Sequence, residues 1–353
     1  MAEMTVRTFD DVDKALLTEV QKGFPITHRP FEALGEKLGL TEQVCLQRIA
    51  ALKTGQVIRQ LSAIFDTRAL GYQSTLIAVK APAERVDAAA EVISRHPGVS
   101  HNYKRNDPFN IWYTLAVPPG DSLEQTAKIL HVLSGAEETL LLPTLRLYKI
   151  GVKLDLTGQD TSLESKEDIY DESKRWSAKP PLTPQDLAFI RVMQEDLPAL
   201  ELPFAVWAEQ AESTEEELFA WAKKMEHLGY MRRFAAILHH RNAGFKANAM
   251  VVWQVPQEQV DAAGEQMALF REVSHCYRRP VYPNWPYPLF TMIHAETHAG
   301  CMDVVRRIEE RAGSFPHKNL FSTKEYKKVR VKYFTPELDE WWAKVGSRVT
   351  ISD

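Results

Sequence analysis

The strongest constraint on this chain is that it repeats itself. Pro25, Pro30, Phe31, Thr41-Glu42, Arg59, Ala63-Ile64, Arg68 and Gly71 recur with the same spacing as Pro198, Pro203, Phe204, Thr214-Glu215, Arg232, Ala236-Ile237, Arg241 and Gly244, about 173 residues later. One residue out of that step, Val99-Ser100-His101-Asn102-Tyr103-Lys104-Arg105 returns as Val273-Ser274-His275-Cys276-Tyr277-Arg278-Arg279. The 353 residues therefore divide into two similar lobes, each long enough for its own core.

Within each lobe the apolar spacing changes from helical to strand-like. From Asp11 to Ile64 a helical rhythm (Val12, Ala15, Leu16, Val20; Phe31, Leu34, Leu38; Val44, Leu46, Ile49, Leu52), with a Gly39-Leu40-Thr41 turn, predicts a three-helix helix-turn-helix. Alternation then predicts strands at Tyr72 to Val79, Val99 to Arg105, Ile111 to Val117 and Leu145 to Leu154, with helices at Ala83 to Ser94 and Ser122 to Leu133. The second lobe gives helices from Thr183 to Arg232, strands at 246–254, 273–279, 289–295 and 325–333, and helices at 257–268 and 299–311. The predicted fold class is α+β: two tandem lobes, each a helix-turn-helix followed by a ferredoxin-like βαββαβ domain with both helices on one sheet face. The expected domains are 1–62 and 63–156, a polar, Pro-containing linker at 157–181, then 182–234 and 235–340.

Bulk properties narrow the function. No apolar run is long enough to span a bilayer and the first residues lack a signal peptide's apolar stretch, so the expectation is a cytoplasmic protein without membrane association. Cys45, Cys276 and Cys301 form no C-x-x-C pair and spell out neither a disulfide framework nor a metal site. A net charge of −4 disfavours general nucleic-acid binding, and Glu215-Glu216-Glu217 at the start of the second lobe's recognition helix would be repelled by phosphate. Sequence-specific DNA binding is not expected.

Alternate strand residues share a face, so His101, Tyr103 and Arg105 project together, as do His275, Tyr277 and Arg279. Three polar side chains would be costly beneath two covering helices, which places them on the open face. There imidazole can carry a proton or ligate a metal, phenol can donate a hydrogen bond and guanidinium can grip carboxylate. Trp112 and Trp285 offer aromatic walls, although Trp beside a sheet also serves as plain core. Lys104 and Arg278 add charge within the strings, and Arg59, Arg232 and Arg233, with His239, His240 and Arg241 beyond them, add it where the helices meet the sheet. The substrate-binding candidates are thus Arg59, Lys104, Arg105, Trp112, Arg232, Arg233, Arg278, Arg279 and Trp285.

The helix-turn-helix followed by βαββαβ resembles the Lrp/AsnC architecture. The strings His101-Asn102-Tyr103…Phe109-Asn110-Ile111-Trp112-Tyr113-Thr114 and His275-Cys276-Tyr277-Arg278-Arg279-Pro280…Trp285-Pro286-Tyr287-Pro288-Leu289-Phe290-Thr291-Met292-Ile293-His294 are similar to those of siroheme decarboxylases, over nearly the whole chain. In that family two related subunits are usual; this chain looks like both joined, its lobes pairing as a pseudo-dimer, with further oligomerisation open. The resemblance implies removal of carbon dioxide from two acetate side chains of siroheme, through a monodecarboxylated product to didecarboxysiroheme, toward heme or heme d1. It implies no cofactor beyond the substrate's own iron. On this reading His101 and His275 are acids or axial ligands of that iron, Tyr103 and Tyr277 hydrogen-bond donors, and the arginines carboxylate clamps. Competing readings are a heme-responsive Lrp/AsnC-type regulator and a tetrapyrrole carrier without chemistry.

Overall fold

The computed structural model describes residues 9–150, 179–238 and 247–345. Most of the 157–181 linker, and His239, His240 and Arg241, lie outside the described residues. The chain divides into two compact units, and the division runs across the repeats: residues 1–71 and 154–243 form one, 72–153 and 244–353 the other.

The first unit collects both helix-turn-helix segments. These are α1 (Asp11–Lys22), α2 (Pro30–Leu38) and α3 (Glu42–Thr54), and from the second repeat α6 (Pro184–Met193), α7 (Pro203–Gln210) and α8 (Glu215–His227). Proline at the first turn of α2 and α7 loses no helix bond, because those N–H groups have no intrahelical acceptor. Thr41 and Thr214 cap α3 and α8 through their hydroxyls, and Glu217 completes a capping box with Thr214. The helical reading ran too far. Residues 58–65 and 231–238 are strands β1 (Ile58–Phe65) and β7 (Met231–Leu238), paired antiparallel to each other. A register shift between Ile58 and Gln60 breaks the alternation, leaving Arg59 and Gln60 both half-exposed between buried Ile58 and Leu61.

The second unit joins both ferredoxin-like domains. The first repeat supplies β2 (Gln73–Lys80), α4 (Val86–Ser94), β3 (Val99–Arg105), β4 (Ile111–Val117), α5 (Leu123–Ser134), β5 (Glu138–Leu142) and β6 (Arg146–Ile150). The second supplies β8 (Ala247–Trp253), α9 (Val260–Ala268), β9 (Val273–Arg278), β10 (Leu289–Ala295), α10 (His298–Ala312) and β11 (His317–Lys328), followed by α11 (Glu337–Val345). Among the described residues the strand order is β5-β2-β4-β3-β11-β8-β10-β9-β6. Each half keeps the ferredoxin-like order and exchanges its last strand with the other: β6 leaves its own repeat to pair with β9, and β11 pairs first with β8 and then, beyond Phe321, with β3.

That exchange corrects two expectations. The strand expected at Leu145 to Leu154 as the last of its own half is β6, Arg146–Ile150 within the described residues, and it pairs with β9 of the other half. The fourth place in its own half is taken by β5, which was not expected, and Pro143, with no N–H to continue a ladder, lies between the two. The strand expected at 325–333 runs from 317 to 328 instead. Its alternation is lost where it passes from one half to the other, with register shifts at Ser322/Lys324 and Glu325/Lys327.

Each half buries one sheet face under its two helices, with Ile77, Val99, Tyr113, Ala90 and Leu130 in one core and Val251, Val273, Ile293, Met267 and Ile308 in the other. The opposite faces pack on each other through Ala78, Trp112, Leu140, Met250, Val252, Trp285 and Phe290. Trp112 and Trp285 meet at 5.3 Å between ring centroids.

Candidate functional site

The two His strings lie on these inner faces. The register pairs His101 with Thr114 and Tyr103 with Trp112, and in the other half His275 with Met292 and Tyr277 with Phe290. Paired residues share a face, and Trp112, Phe290 and Met292 belong to or pack against the inter-sheet core, so the alternation expected of each string holds. The imidazole and phenol rings sit 6.3 Å apart for His101 and Tyr103, and 5.9 Å apart and nearly parallel for His275 and Tyr277. All four rings are half-buried.

Each histidine follows a serine that is the extra residue of a β-bulge. Ser100 Oγ lies 3.0 Å from His101 Nδ1, and Ser274 Oγ 2.8 Å from His275 Nδ1. A hydroxyl at Nδ1 fixes the orientation of each ring and, through the hydrogen bond it makes, its tautomer. The sequence reading passed over these serines, although both precede the histidine in the repeated string.

Arg105 and Arg279 depart from the picture of an open basic face. Both are buried between the sheets, 6% and 8% exposed. Arg105 Nη1 donates to the Leu320 carbonyl at 2.6 Å and Arg279 Nη1 to the Leu142 carbonyl, while both Nε groups lack an acceptor. The aromatic rings of Tyr103 and Tyr277 lie 5.8 and 4.8 Å from the respective guanidinium carbons. No carboxylate among the described residues neutralises either cation, and burial pulls both down to about 10. Two enclosed, uncompensated positive charges sit beside the two His-Tyr pairs.

The remaining candidates are elsewhere. Trp112 and Trp285 are core residues, 1% and 0% exposed, and their rings pack between the sheets rather than standing as exposed walls. Lys104 pairs in register with Ile111, on the helix-covered face. Arg278 likewise turns to that face, where it reaches Asp261 of α9 at 3.4 Å, and Arg146 holds the same carboxylate at 3.0 Å. Neither Lys104 nor Arg278 shares a face with the histidines, because strand alternation puts odd and even positions on opposite sides. Asn102 and Cys276 also point to the helices: Asn102 donates to Ala90 O and Ser94 Oγ, and burial pushes the Cys276 thiol up to about 12. Arg59, Arg232 and Arg233 belong to the β1–β7 ribbon of the helical unit. Arg232 is bound to the buried Asp66 at 2.8 Å, and Arg233 lines a cavity of about 490 Å³ with Lys22, Phe24, Phe219, Lys223 and Glu226.

The starts of the recognition helices are occupied within the helical unit. His28 contacts Glu215 at 3.0 Å, and Arg29 contacts Glu42 and Glu201. Among the described residues no helix is long and apolar enough to cross a membrane, and no cluster of His, Cys, Asp and Glu could hold a metal ion.

Known proteins identify the lineage. The AsnC-like ligand binding domain matches residues 69–149 and 242–327, and the siroheme decarboxylase NirDL-like HTH domain matches 13–59 and 186–232. A siroheme decarboxylase of Hydrogenobacter thermophilus is 36% identical over 341 residues, covering 96% of this chain and 99% of that protein. The chain belongs to the siroheme decarboxylase family. A crystal structure of the siroheme decarboxylase NirDL in co-complex with an iron-uroporphyrin III analogue is similar at 31% identity and a TM-score of 0.75, over 95% of this chain and 98% of that one. The siroheme decarboxylase beta subunit of Methanosarcina barkeri is 42% identical over 147 residues, 97% of its own length but 42% of this chain. A separate subunit in one family member thus corresponds to part of a single polypeptide here.

Proposed function

We propose that this protein decarboxylates siroheme, converting two acetate side chains to methyl groups through a monodecarboxylated intermediate on the way to heme or heme d1. The observation that carries the reading is the pair of buried guanidinium groups without counter-ions, each beside a His-Tyr pair on facing sheet surfaces. Such charges are costly unless a polyanion is to be bound, and the NirDL complex makes an iron tetrapyrrole carboxylate its natural class. The iron is part of the substrate; no further cofactor is required.

Loss of carbon dioxide leaves an electron pair on the side-chain methylene carbon, delocalised into the macrocycle until a proton quenches it. His101 or His275 supplies that proton through Nε2 or ligates the iron. Tyr103 and Tyr277 donate hydrogen bonds, and the fields of Arg105 and Arg279 hold the carboxylates that are not lost. A well-placed acid contributes roughly 10²- to 10⁴-fold. Taking the reacting carboxylate out of water favours the charge-dispersed transition state over the ionised ground state. The same proposal includes a cytoplasmic location and no specific DNA target.

The test is anaerobic incubation of the purified protein with siroheme, followed by product mass. Two successive losses of carbon dioxide support the proposal. An unchanged tetrapyrrole refutes it and leaves a carrier.

A further inference from the structure

The two His strings differ in what stands behind the histidine. In the first half, the position on β4 that corresponds to His294 is Ala116. Matching backbone bonds fix the correspondence: Ala116 N–H donates to Gly98 O at 2.9 Å and His294 N–H to Glu272 O at 3.0 Å. In the second half, His294 Nε2 lies 2.7 Å from Ser274 Oγ, whose other side faces His275 Nδ1 at 2.8 Å. One hydroxyl, 4% exposed, therefore bridges two imidazoles. Its remaining contact is the Met292 carbonyl at 3.3 Å.

We propose that His294 is the positioning residue that supplies His275 with protons through Ser274, which makes the second-lobe histidine the working acid; this rests on the decarboxylase reading. In the step, the bond from methylene carbon to carboxylate breaks and carbon dioxide leaves without a proton. The electron pair left on carbon forms a C–H bond with the proton of His275 Nε2. Ser274 passes its hydroxyl proton to His275 Nδ1 and takes one from His294 Nε2. His294 begins as imidazolium, charged from water, and ends neutral; His275 is neutral before and after, with its tautomer exchanged. One proton is consumed for each carbon dioxide released. His101 is backed by Ser100 and then, at the position of His294, by Ala116, and its part is to hold the tetrapyrrole.

The experiment compares His294→Gln, His294→Ala, Ser274→Ala and the Ser274→Ala/His294→Ala pair in the full-length protein. Siroheme binding is followed by absorption titration and decarboxylation by single-turnover mass analysis. Glutamine still donates an N–H to Ser274 Oγ but cannot give up a proton. The expected result is an unchanged spectrum, binding within a few-fold of wild type, and turnover reduced about 10²-fold in each single variant. Added imidazole should partly restore His294→Ala, and the double variant should be no slower than the slower single one. Wild-type turnover in His294→Gln, multiplying losses in the double variant, or a lost or altered siroheme spectrum would each overturn the relay. Should His294→Ala fail to fold, His294→Gln and Ser274→Ala decide the matter. A wild-type protein inert toward siroheme fails the decarboxylase reading; an active one indifferent to His294 fails only this inference.

Discussion

Replacing Arg279 with methionine separates a structural arginine from one kept for a ligand, because the two roles predict opposite changes. Burial lowers Arg279 from the ordinary guanidinium range to about 10, and at ~1.4 kcal/mol per pKa unit this is about 3 kcal/mol spent in enclosing the charge. Below pH 10 the group is protonated both folded and unfolded, so the cost is constant through the neutral range. Only above about 10, up to the ordinary guanidinium range, does the unfolded chain bind more protons, and only there should stability rise with pH. Methionine removes that cost and fills much of the volume. It forfeits the charged hydrogen bond to Leu142 O, worth about 1.5–3 kcal/mol. The two nearly cancel, so ligand-free stability in urea should stay within about 1 kcal/mol of wild type, against the roughly 3–5 kcal/mol lost on breaking a structural buried ion pair. Siroheme affinity, measured by absorption titration, should fall about 10- to 100-fold, the equivalent of one charge-assisted interaction. A variant destabilised by 3 kcal/mol or more with affinity intact would refute the reasoning.

Other outcomes follow from the same structure. Burial pulls His96 down to about 3, with Nδ1 accepting from Gly98 N–H and Trp341 packed against the ring at 4.4 Å. Its contribution is full above pH 6.5 and is lost between there and about 3, at up to about 1.4 kcal/mol per pH unit; His96→Gln should flatten the acid limb of stability, and an unchanged limb would show that other groups set it. Gly23 has an extended backbone (φ 177°) and open space where a Cβ would stand, so Gly23→Ala should stabilise by about 0.4–1 kcal/mol in thermal unfolding, and a loss would contradict that account. With acidic residues at the starts of α3 and α8 already paired to His28 and Arg29, a gel shift at moderate salt should show no specific complex; a nanomolar one would restore the regulator reading.

What was legible in the sequence was whatever obeyed a local period. Val99 to Arg105 and Ile111 to Val117 were readable to the residue, the first as a mixed run with its polar side chains alternating and the second as a nearly continuous apolar run buried on both faces, one side under helices and the other between sheets. The strings His101-x-Tyr103 and His275-x-Tyr277 were readable for the same reason, reinforced by duplication. What escaped depends on pairings between distant segments. The crossing of β6 and β11 between halves leaves no local trace beyond Pro143 and a blurred alternation in residues 317–328. The face assignment of Arg105 was right, but its burial was not foreseeable from one strand, since the closing surface comes from residues such as Leu320, 215 positions away. Arg278 was misassigned because a run of two arginines looks like one basic patch, whereas the pleat sends its members to opposite faces, one to Asp261 and the other to the interior. Nor could the pairing of His275 with His294 be read from spacing alone, because it runs across a bulge that brings Ser274 between two neighbouring strands. Duplication exposed the parts that the repeats share; the asymmetry that assigns them different work, His294 against Ala116, became visible only when the register aligned the two halves.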